Sequence, residues 1–154
     1  MDEVGYPEIE KAIPHRGRMI LLAGIVDHTM DSTTCVVEVG ENALFREPGG
    51  LVPAWVGLEY MAQCVAAHGG LRARATGQPV KVGFFVGSRR IDVHTEGFSP
   101  GQVIEVRAKH LLGESGFFSF ACSLRDRKSG ALLMEGNLNV FLSEDLRAAE
   151  ANPS

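Results

Sequence analysis

Cysteine is scarce in this sequence, and the three cysteines that occur are far apart. Cys35, Cys64 and Cys122 each stand among apolar neighbours, without the close spacing that metal sites and small disulfide-bonded domains show. We therefore expect three buried thiols in a reducing compartment, with no disulfide and no metal site.

Long apolar runs and an excess of positive charge are also missing. No apolar run reaches the roughly 18 residues that a membrane-spanning helix needs, so we expect no membrane association. The 15 Lys and Arg residues stand against 19 Asp and Glu residues and give a net charge of −4, which argues against nucleic acid as a partner. The first residues, with Asp2 and Glu3, lack the charged and then apolar pattern of a leader, so we expect a cytoplasmic protein.

The length and the hydrophobic content suit one domain. A chain of 154 residues that is 45% hydrophobic can bury a substantial core, and we find no internal repeat or linker. We predict a single domain over residues 1–154, with its core at about 7–143. Residues 144–154 are polar and are predicted to form a frayed tail or a short surface helix.

The most unusual segment is a helix that is apolar on almost every side. It is predicted to begin at Pro53, which suits a first helical turn, and to end near Thr76, before Gly77. A helix of this composition belongs in the interior of a protein. Yet it carries Glu59 and Gln63, four residues apart and therefore on one face. Glu59 either meets a cation or a helix end, or it faces a substrate tunnel.

The remaining segments predict mainly strands. Ile104, Val106, Ala108, His110 and Leu112 alternate with charged residues, so they are expected to share one buried face. Strands joined by short hairpins predict an antiparallel sheet, covered by the one long helix. The fold class is therefore α+β. A short helix is predicted at 6–13, and strands are predicted at 19–29, 34–39, 80–86, 90–95, 102–112, 117–125 and 131–142.

Three stretches of the sequence resemble one known family. They are Ile13-Pro-His-Arg16 followed by Met19-Ile-Leu-Leu22, then Glu59-Tyr-Met-Ala-Gln63, then Gly83-Phe-Phe-Val-Gly87 with Pro100-Gly101. They are similar to the hotdog-fold 3-hydroxyacyl-(acyl carrier protein) dehydratases, the FabZ-like group. The resemblance covers about residues 7–143. It is strongest to the divergent branch associated with aryl-polyene pigment pathways, in which a Pro-Ala-Trp-Val-Gly run precedes the glutamate.

The resemblance implies a hotdog fold, a curved antiparallel sheet wrapped around one long central helix. It also implies dehydration of a 3-hydroxyacyl thioester to the 2-enoyl thioester, with the acyl group on the phosphopantetheine of an acyl carrier protein and no other cofactor. The active site of such proteins is shared across a dimer interface. We therefore expect an acyl carrier protein as a partner, and a homodimer or a heterodimer with a second hotdog subunit, formed by pairing sheet edges.

The sequence departs from this family at the catalytic histidine. The family pattern has Gly-His-Phe-Pro-Gly before the helix, and its histidine acts with the helix glutamate. The equivalent position here is Phe45, or Arg46 if one gap is allowed. Neither residue can accept a proton at neutral pH, because an arginine stays protonated. The usual base is therefore absent from its expected position.

The resemblance and the chemistry together indicate which residue could act as the base in place of the missing histidine. Dehydration needs a general base, a general acid and donors that hold the developing oxyanion. A desolvated Glu59 could stay protonated and donate to the leaving hydroxyl, and His15, in the Pro-His-Arg turn, is the best candidate for the base. The helix start, with its free N–H groups, would hold the thioester oxygen. The predicted substrate-binding residues are Ala54, Trp55, Val56, Gln63, Phe45, Arg46 and Gly87.

Other interpretations stay open at this point. His15 could instead cap a strand or pair with a carboxylate. His68 lies nine residues after Glu59, about 180° round the helix at about 100° per residue, and is expected to be structural. His28, His94 and His110 have no spaced partner and are expected to be surface or packing residues. A hotdog thioesterase, or a non-catalytic subunit that completes a partner dehydratase, would also be consistent with the sequence.

Overall fold

The computed structural model describes residues 6–77, 82–114 and 116–143. The predicted tail at 144–154 and the start of the strand predicted at 80–86 lie outside these residues. The elements in chain order are α1 (Ile9–Ala12), a 3-10 helix (Gly17–Met19), β1 (Gly24–His28), β2 (Ser32–Glu38), β3 (Val52–Pro53), α2 (Val56–Thr76), β4 (Val82–Gly87), β5 (Ile91–Val93), β6 (Gly97–Phe98), β7 (Val103–Glu114), β8 (Phe117–Asp126) and β9 (Leu132–Ser143).

The main sheet is antiparallel and curved, and α2 lies against it. Its strand order is β1-β2-β7-β8-β9-β4, with β5 also pairing with β9, while β3 and β6 form a separate two-stranded ribbon. The three longest strands follow one another through hairpins. Gly116 and Gly130 adopt positive φ in those two turns, a conformation that glycine reaches without steric cost. The α+β class and the wrapped-helix layout predicted from the sequence are confirmed.

Helix α2 is buried along most of its length, as its all-round apolarity predicts. Val56, Met61, Cys64 and Ala67 are fully buried against the sheet. The helix approaches the sheet closely at Gly57, where an added Cβ would overlap Met134 and Leu124. Its far end closes at Gly77, which adopts the left-handed conformation and donates its N–H to the last carbonyls of the helix.

The predicted start of this helix at Pro53 is wrong. Pro53 lies in β3, opposite Gly97 of β6, and the helix begins three residues later, at Val56. The reason lies in the neighbouring residue: Val52 pairs with Phe98, and both side chains are fully buried. This ribbon holds the chain extended up to Pro53.

The strand predicted from Met19 to Thr29 is shorter than expected, because its first residues bond to the helix. The chain forms a 3-10 turn at Gly17–Met19, and β1 begins only at Gly24. Between them, the carbonyl of Met19 and the N–H of Leu21 both pair with the Gln63 side chain. A side chain of α2 therefore satisfies the backbone groups that a neighbouring strand would otherwise satisfy.

The other boundaries differ from prediction by a few residues, with physical reasons in two places. Helix α1 begins at Ile9 rather than Tyr6, whose hydroxyl accepts a hydrogen bond from the N–H of His28 at the sheet edge. Leu112 was expected on the buried face but is 75% exposed. The pairing of β7 with β8 shifts register between His110 and Leu112, and such a bulge reverses the alternation of side chains beyond it.

The three cysteines are free and buried, as predicted. Burial raises the pKa of the Cys122 thiol to about 12, so this group stays protonated at neutral pH. Among the described residues, no group of three or more His, Cys, Asp or Glu side chains is placed to hold a metal ion. None of the helices in the described ranges is long and apolar enough to cross a membrane.

Candidate active site

His15 lies in a turn that its own neighbour holds in place. The guanidinium of Arg16 donates hydrogen bonds to the carbonyls of His15 at 2.7 Å, Ile13 at 3.0 Å and Glu10 at 3.3 Å. Gly17 follows with φ +62°, which lets the chain reverse sharply into the 3-10 turn. These hydrogen bonds hold the backbone of the turn that carries His15.

The turn brings His15 onto the first part of helix α2. His15 Nε2 lies 3.3 Å from Glu59 Oε1, and the two side chains are 25% and 37% exposed. A separation of this size is typical of an acid–base pair without substrate, in which contacts are often longer than in the reacting complex. The adjacency of these two residues, expected from the Pro-His-Arg turn, is present in the structure.

Gln63 fastens the His15 turn to the helix. Its Nε2 donates to the carbonyl of Met19 at 2.7 Å and to Glu59 Oε1 at 3.1 Å, and its Oε1 accepts the N–H of Leu21 at 2.9 Å. The Gln63 residue is fully buried. Both amide hydrogens are used, so the side chain has no donor left for a substrate. We call His15, Glu59 and Gln63 together the His15 site.

The second nitrogen of His15 has no partner. Nδ1 is buried and makes no hydrogen bond within the part of the chain that the structure describes. The imidazole therefore meets a carboxylate through Nε2 and an enclosed, non-bonding environment through Nδ1.

The N-terminus of α2 lies one turn before Glu59 and contains three of the predicted substrate-binding residues. Trp55 is the N-cap residue, no side chain caps the helix, and Val56 is its first residue. Ala54 accepts a hydrogen bond from the N–H of Gly57. The N–H of Leu58 likewise donates to the carbonyl of Trp55, so the helix dipole, which places partial positive charge at this end, is its main electrostatic feature. Such an end can hold a developing oxyanion.

Two aromatic side chains stand at this end of the helix. Phe45 and Trp55 meet edge to face with ring centroids 5.3 Å apart, and they are 40% and 60% exposed. Phe45 has φ +71°, a backbone conformation that is strained for a bulky residue. Where the family pattern places a histidine, this chain therefore has an exposed aromatic pair.

Two other predicted binding residues, Arg46 and Gly87, lie outside the His15 site. The Nε of Arg46 donates to the carbonyl of Gly50 within its own loop. Gly87 ends β4 opposite Asn139, at an outer strand of the sheet. Within residues 6–77, 82–114 and 116–143, none of the hydrogen bonds of His15, Glu59 or Gln63 involves either residue.

Glu59 is more accessible than the sequence led us to expect. We expected a desolvated carboxyl, but 37% of the side chain is exposed in the chain by itself, because the helix start is uncovered. An open cavity of about 790 Å³ lies between the N-terminal segment and β1. Gly17 and Ile20 line that cavity, whereas His15 and Glu59 do not.

A second group of histidines lies on the opposite face of α2. His28 Nδ1 and His68 Nδ1 lie 2.7 and 2.8 Å from the hydroxyl of Thr33, and the His28 and His68 rings are 5.3 Å apart. The His110 ring packs on Phe120, as does that of His68. We call His28, His68 and His110 the histidine cluster.

The histidine cluster was only partly foreseen. His68 is buried, as expected for a structural residue, and His28 packs against its ring, but the hydrogen bond between His28 and Thr33 was not foreseen. His28 and Thr33 are cross-strand neighbours in the β1–β2 hairpin, a relation that two strands joined by a short turn could have revealed. Burial lowers the pKa of His68 to about 4 and also lowers that of His28.

Comparison with known proteins gives one family and a set of structural relatives. The family model described as ApeP-like, ApeP dehydratase, matches residues 7–151. No curated protein gives a significant match. The chain is similar to the dehydratase heterocomplex ApeI:P from Xenorhabdus doucetiae, with a TM-score of 0.86, 23% identity, and coverage of 95% of this chain and 97% of that one.

More distant solved structures share the fold alone. Thioesterase superfamily member 2 from Mus musculus has a TM-score of 0.58 at 14% identity, over 77% of this chain and 79% of that one. A hypothetical thioesterase protein with coenzyme A from Streptococcus pneumoniae TIGR4 has a TM-score of 0.59 at 12% identity, over 77% and 84%. These relatives establish the hotdog fold.

Proposed function

The chain belongs to the ApeP-like dehydratase family, and from this membership and the geometry of the His15 site we propose its substrate and its assembly. It removes water from a 3-hydroxyacyl thioester and yields the 2-enoyl thioester. The acyl group is carried on the phosphopantetheine of an acyl carrier protein. The chain acts as a dimer, with a second hotdog subunit as its partner.

The observation that carries the reaction is the 3.3 Å approach of His15 Nε2 to Glu59 Oε1 beside an uncapped helix start. Elimination of water from a 3-hydroxyacyl thioester needs proton transfer at C2 and at the leaving hydroxyl, and the pair supplies titratable groups for this. The thioester oxygen gains negative charge as the C2 proton leaves. The partial positive charge at the start of α2 would stabilise that negative charge.

The exposure of the site supports a partner subunit. Trp55 and Phe45 are large apolar side chains at the mouth of the site, and both are substantially exposed in the chain by itself. The outer strands of the main path of the sheet are β1 and β4, so the chain offers edges for pairing with another sheet. A heterodimer agrees with the structural relative, which is a heterocomplex. A second hotdog subunit would cover the aromatic pair and close the substrate tunnel.

The test is an assay of the purified chain, alone and co-expressed with its candidate hotdog partner. A series of 3-hydroxyacyl groups would be offered on acyl carrier protein and on coenzyme A, and formation of the enoyl thioester would be followed. We expect dehydration, with a preference for the carrier protein, and loss of activity in Glu59→Gln. Release of free thiol without dehydration would identify a thioesterase instead. Full activity of a Glu59→Gln complex would place the chemistry in the partner and make this chain a supporting subunit.

A further inference from the structure

We infer that the Thr33 hydroxyl forms an acid-sensitive latch between the outer strand β1 and helix α2, in which His28 and His68 carry their protons on opposite ring nitrogens at neutral pH. The latch consists of His28 on β1, Thr33 on β2 and His68 on α2. It is separate from the His15 site and does not depend on the reaction proposed there. Three features support it: the single hydrogen of the hydroxyl, the enclosure of His68, and the position of His28 at the sheet edge.

One buried hydroxyl contacts both histidines. Thr33 Oγ1 lies 2.7 Å from His28 Nδ1 and 2.8 Å from His68 Nδ1, and the Thr33 residue is fully buried. Both separations are hydrogen-bonding distances. Among the residues that the structure describes, these two nitrogens are the only hydrogen-bonding partners of this oxygen. A single atom therefore joins β1, β2 and α2.

The hydroxyl has one hydrogen to donate and lone pairs with which to accept. If both Nδ1 atoms were bare, one contact would bring two lone pairs together. If both carried a proton, the hydroxyl hydrogen would be buried without an acceptor, which is costly. Thr33 therefore donates to one histidine and accepts from the other, so that one Nδ1 is bare and the other is protonated.

The enclosure of His68 decides which histidine donates. Burial lowers the pKa of His68 to about 4, so the ring is neutral at pH 7 and has one proton. Its Nε2 is buried without a partner among the described residues, and the ring packs on Phe120 with only 2% of the residue exposed. The chain itself completes this enclosure, without a second subunit. A buried N–H without an acceptor is rarer than a bare acceptor, so the proton of His68 lies on Nδ1 and is donated to Thr33.

His28 takes the complementary role. The Thr33 hydroxyl donates to His28 Nδ1, which is bare, and His28 carries its proton on Nε2. His28 is only partly buried, on an outer strand of the main path of the sheet. Its Nε2, unlike that of His68, is not left buried without a partner. The hydrogen bonds therefore run in one direction, from His68 through Thr33 to His28.

Acid opens the latch at His28. An added proton can bind only at Nδ1, because Nε2 already carries one, and the resulting N–H cannot accept the Thr33 hydrogen. The buried hydroxyl then loses its acceptor, and the link to β1 is lost. Burial lowers the pKa of His28 below its ordinary value of 6.5, whereas His68 stays neutral down to about 4. Between these two proton uptakes, Thr33 stays bonded to α2 and releases β1.

The groups around the two rings do not reverse this order. They lie on the N-terminal segment, on β1 and the turn after it, on α2 and on β7: Tyr6, whose hydroxyl accepts the backbone N–H of His28, then Asp27, Asp31, Arg72 and His110. The two aspartates raise the pKa of the histidine that they affect, and Arg72 lowers the pKa of both. Burial is the largest cause in each case.

The first experiment reads the two tautomers in the full chain. With ¹⁵N-labelled histidine, nitrogen chemical shifts distinguish a bare from a protonated ring nitrogen, and His28→Gln and His68→Gln identify the signals by their loss. At pH 7 we expect a bare Nδ1 and a protonated Nε2 in His28, and the reverse in His68. Any other combination would overturn the latch.

The second experiment measures the release of β1. Hydrogen exchange of the β1 amides, relative to those of the central strand β8, would be compared at pH 7 and at a lower pH at which the nitrogen shifts show a protonated His28 and a neutral His68. We expect β1 to lose about fivefold in relative protection at the lower pH, the size of one lost hydrogen bond. Unchanged relative protection in the wild-type chain would overturn the latch.

The matched variants are Thr33→Val, which keeps the shape of the side chain but lacks the hydroxyl, and Thr33→Ser, which keeps the hydroxyl. Thr33→Ser should lose relative protection of β1 at the lower pH as the wild type does. Thr33→Val should show weak protection of β1 at both pH values, without the acid-dependent step. A folded Thr33→Val chain that keeps the wild-type step would show that the hydroxyl is not the latch, and the wild-type measurements decide the question if this variant does not fold.

Discussion

Helix α2 carries histidine contacts at two places, and their surroundings differ in nearly every respect. On one face, His15 meets the carboxylate of Glu59, and both side chains are partly exposed at the open end of the helix. On the other face, His68 is buried and meets the hydroxyl of Thr33 and the rings of His28 and Phe120. One place offers a charged partner and access for a small molecule, whereas the other offers neither.

The difference shows why residue type alone does not identify a catalytic histidine. His68 is held neutral, because burial and the neighbouring His28, Arg72 and His110 lower its pKa to about 4, outweighing the effect of Asp31. Its Nδ1 shares the Thr33 hydroxyl with His28, and its Nε2 has no partner among the described residues. His68 is 2% exposed and is enclosed by Thr33, His28 and Phe120, so no substrate can reach its ring nitrogens. The histidine cluster is therefore structural.

The largest expected effect comes from the carboxylate of the His15 site. Glu59→Gln keeps the size of the side chain and one acceptor for Gln63, but it cannot carry a proton. We expect dehydration to fall by about a thousandfold, within the range for loss of a general acid–base group. Glu41→Gln, an exposed carboxylate elsewhere on the surface, is the control and should leave turnover unchanged. Normal turnover by a folded Glu59→Gln would make Glu59 a structural residue.

The next effect concerns the histidine cluster and its response to acid. The unfolded chain binds a proton at His68 near its ordinary pKa of 6.5, whereas the folded chain does so only near 4. Stability is therefore lost as the pH falls from 6.5 towards 4, by on the order of 3 kcal/mol for this residue. His28, whose pKa is also lowered by burial, adds a loss of the same sign.

Urea unfolding at pH 7 and at pH 5 tests this assignment. His68→Gln should flatten the dependence of unfolding free energy on pH, and His94→Gln, at an exposed position after β5, should leave it as in wild type. An unchanged slope in His68→Gln would show that other groups cause the acid sensitivity.

Replacement of Gln63 is expected to have a smaller effect, on the free energy of unfolding. Gln63→Met keeps the approximate shape but leaves the carbonyl of Met19 and the N–H of Leu21 without their partner. We expect a loss of about 2 kcal/mol in the free energy of unfolding, as for buried polar groups that lose a hydrogen bond. Gln102→Met also breaks two side-chain hydrogen bonds, but at a half-buried surface position where water can replace them, so it should cost less. Equal losses in the two variants would contradict the special role of Gln63.

The sequence predicted regular elements well where a single periodicity governs them. The alternation in β7 to β9 and the apolarity of α2 were sufficient for the sheet and its central helix. The errors arose where tertiary contacts override a local pattern. The Gln63 side chain forms hydrogen bonds with backbone groups of residues 19–21 that strand pairing would otherwise use. A bulge after His110 turns Leu112 outward. Neither a side-chain hydrogen bond over 42 residues nor a bulge has a local signature.

The candidate site was predictable only in part. Glu59 and Gln63 were found because polar residues on an apolar helix are conspicuous, and His15 was found through the resemblance of its turn to a known family. The Phe45–Trp55 contact was not foreseen, since it depends on a positive φ at Phe45. His15 Nδ1 is buried without a partner among the described residues, which no sequence pattern reports.

The smallest expected effect on the chain by itself is at Trp55. This side chain is 60% exposed and its main contact is the edge of Phe45, so Trp55→Ala should change the free energy of unfolding by about 1 kcal/mol or less. In the complex, the same variant should weaken association with the second hotdog subunit, because exposed aromatic residues at interfaces often dominate binding. Urea unfolding would measure the first effect, and a titration with the partner, followed by light scattering, would measure the second. Unchanged affinity would place the interface elsewhere.

The most direct test of the contrast between the two places is a comparison of their histidines in one assay. Dehydration of a 3-hydroxyacyl thioester by the complete complex at pH 7 would be measured for His15→Ala and His68→Gln, after thermal unfolding shows that both variants are folded. We predict that His15→Ala loses about a hundredfold in turnover and that His68→Gln stays within about threefold of wild type, since a structural residue makes no contact that strengthens in the transition state. A folded His68→Gln variant with activity as low as that of His15→Ala, or a fully active His15→Ala, would contradict the account.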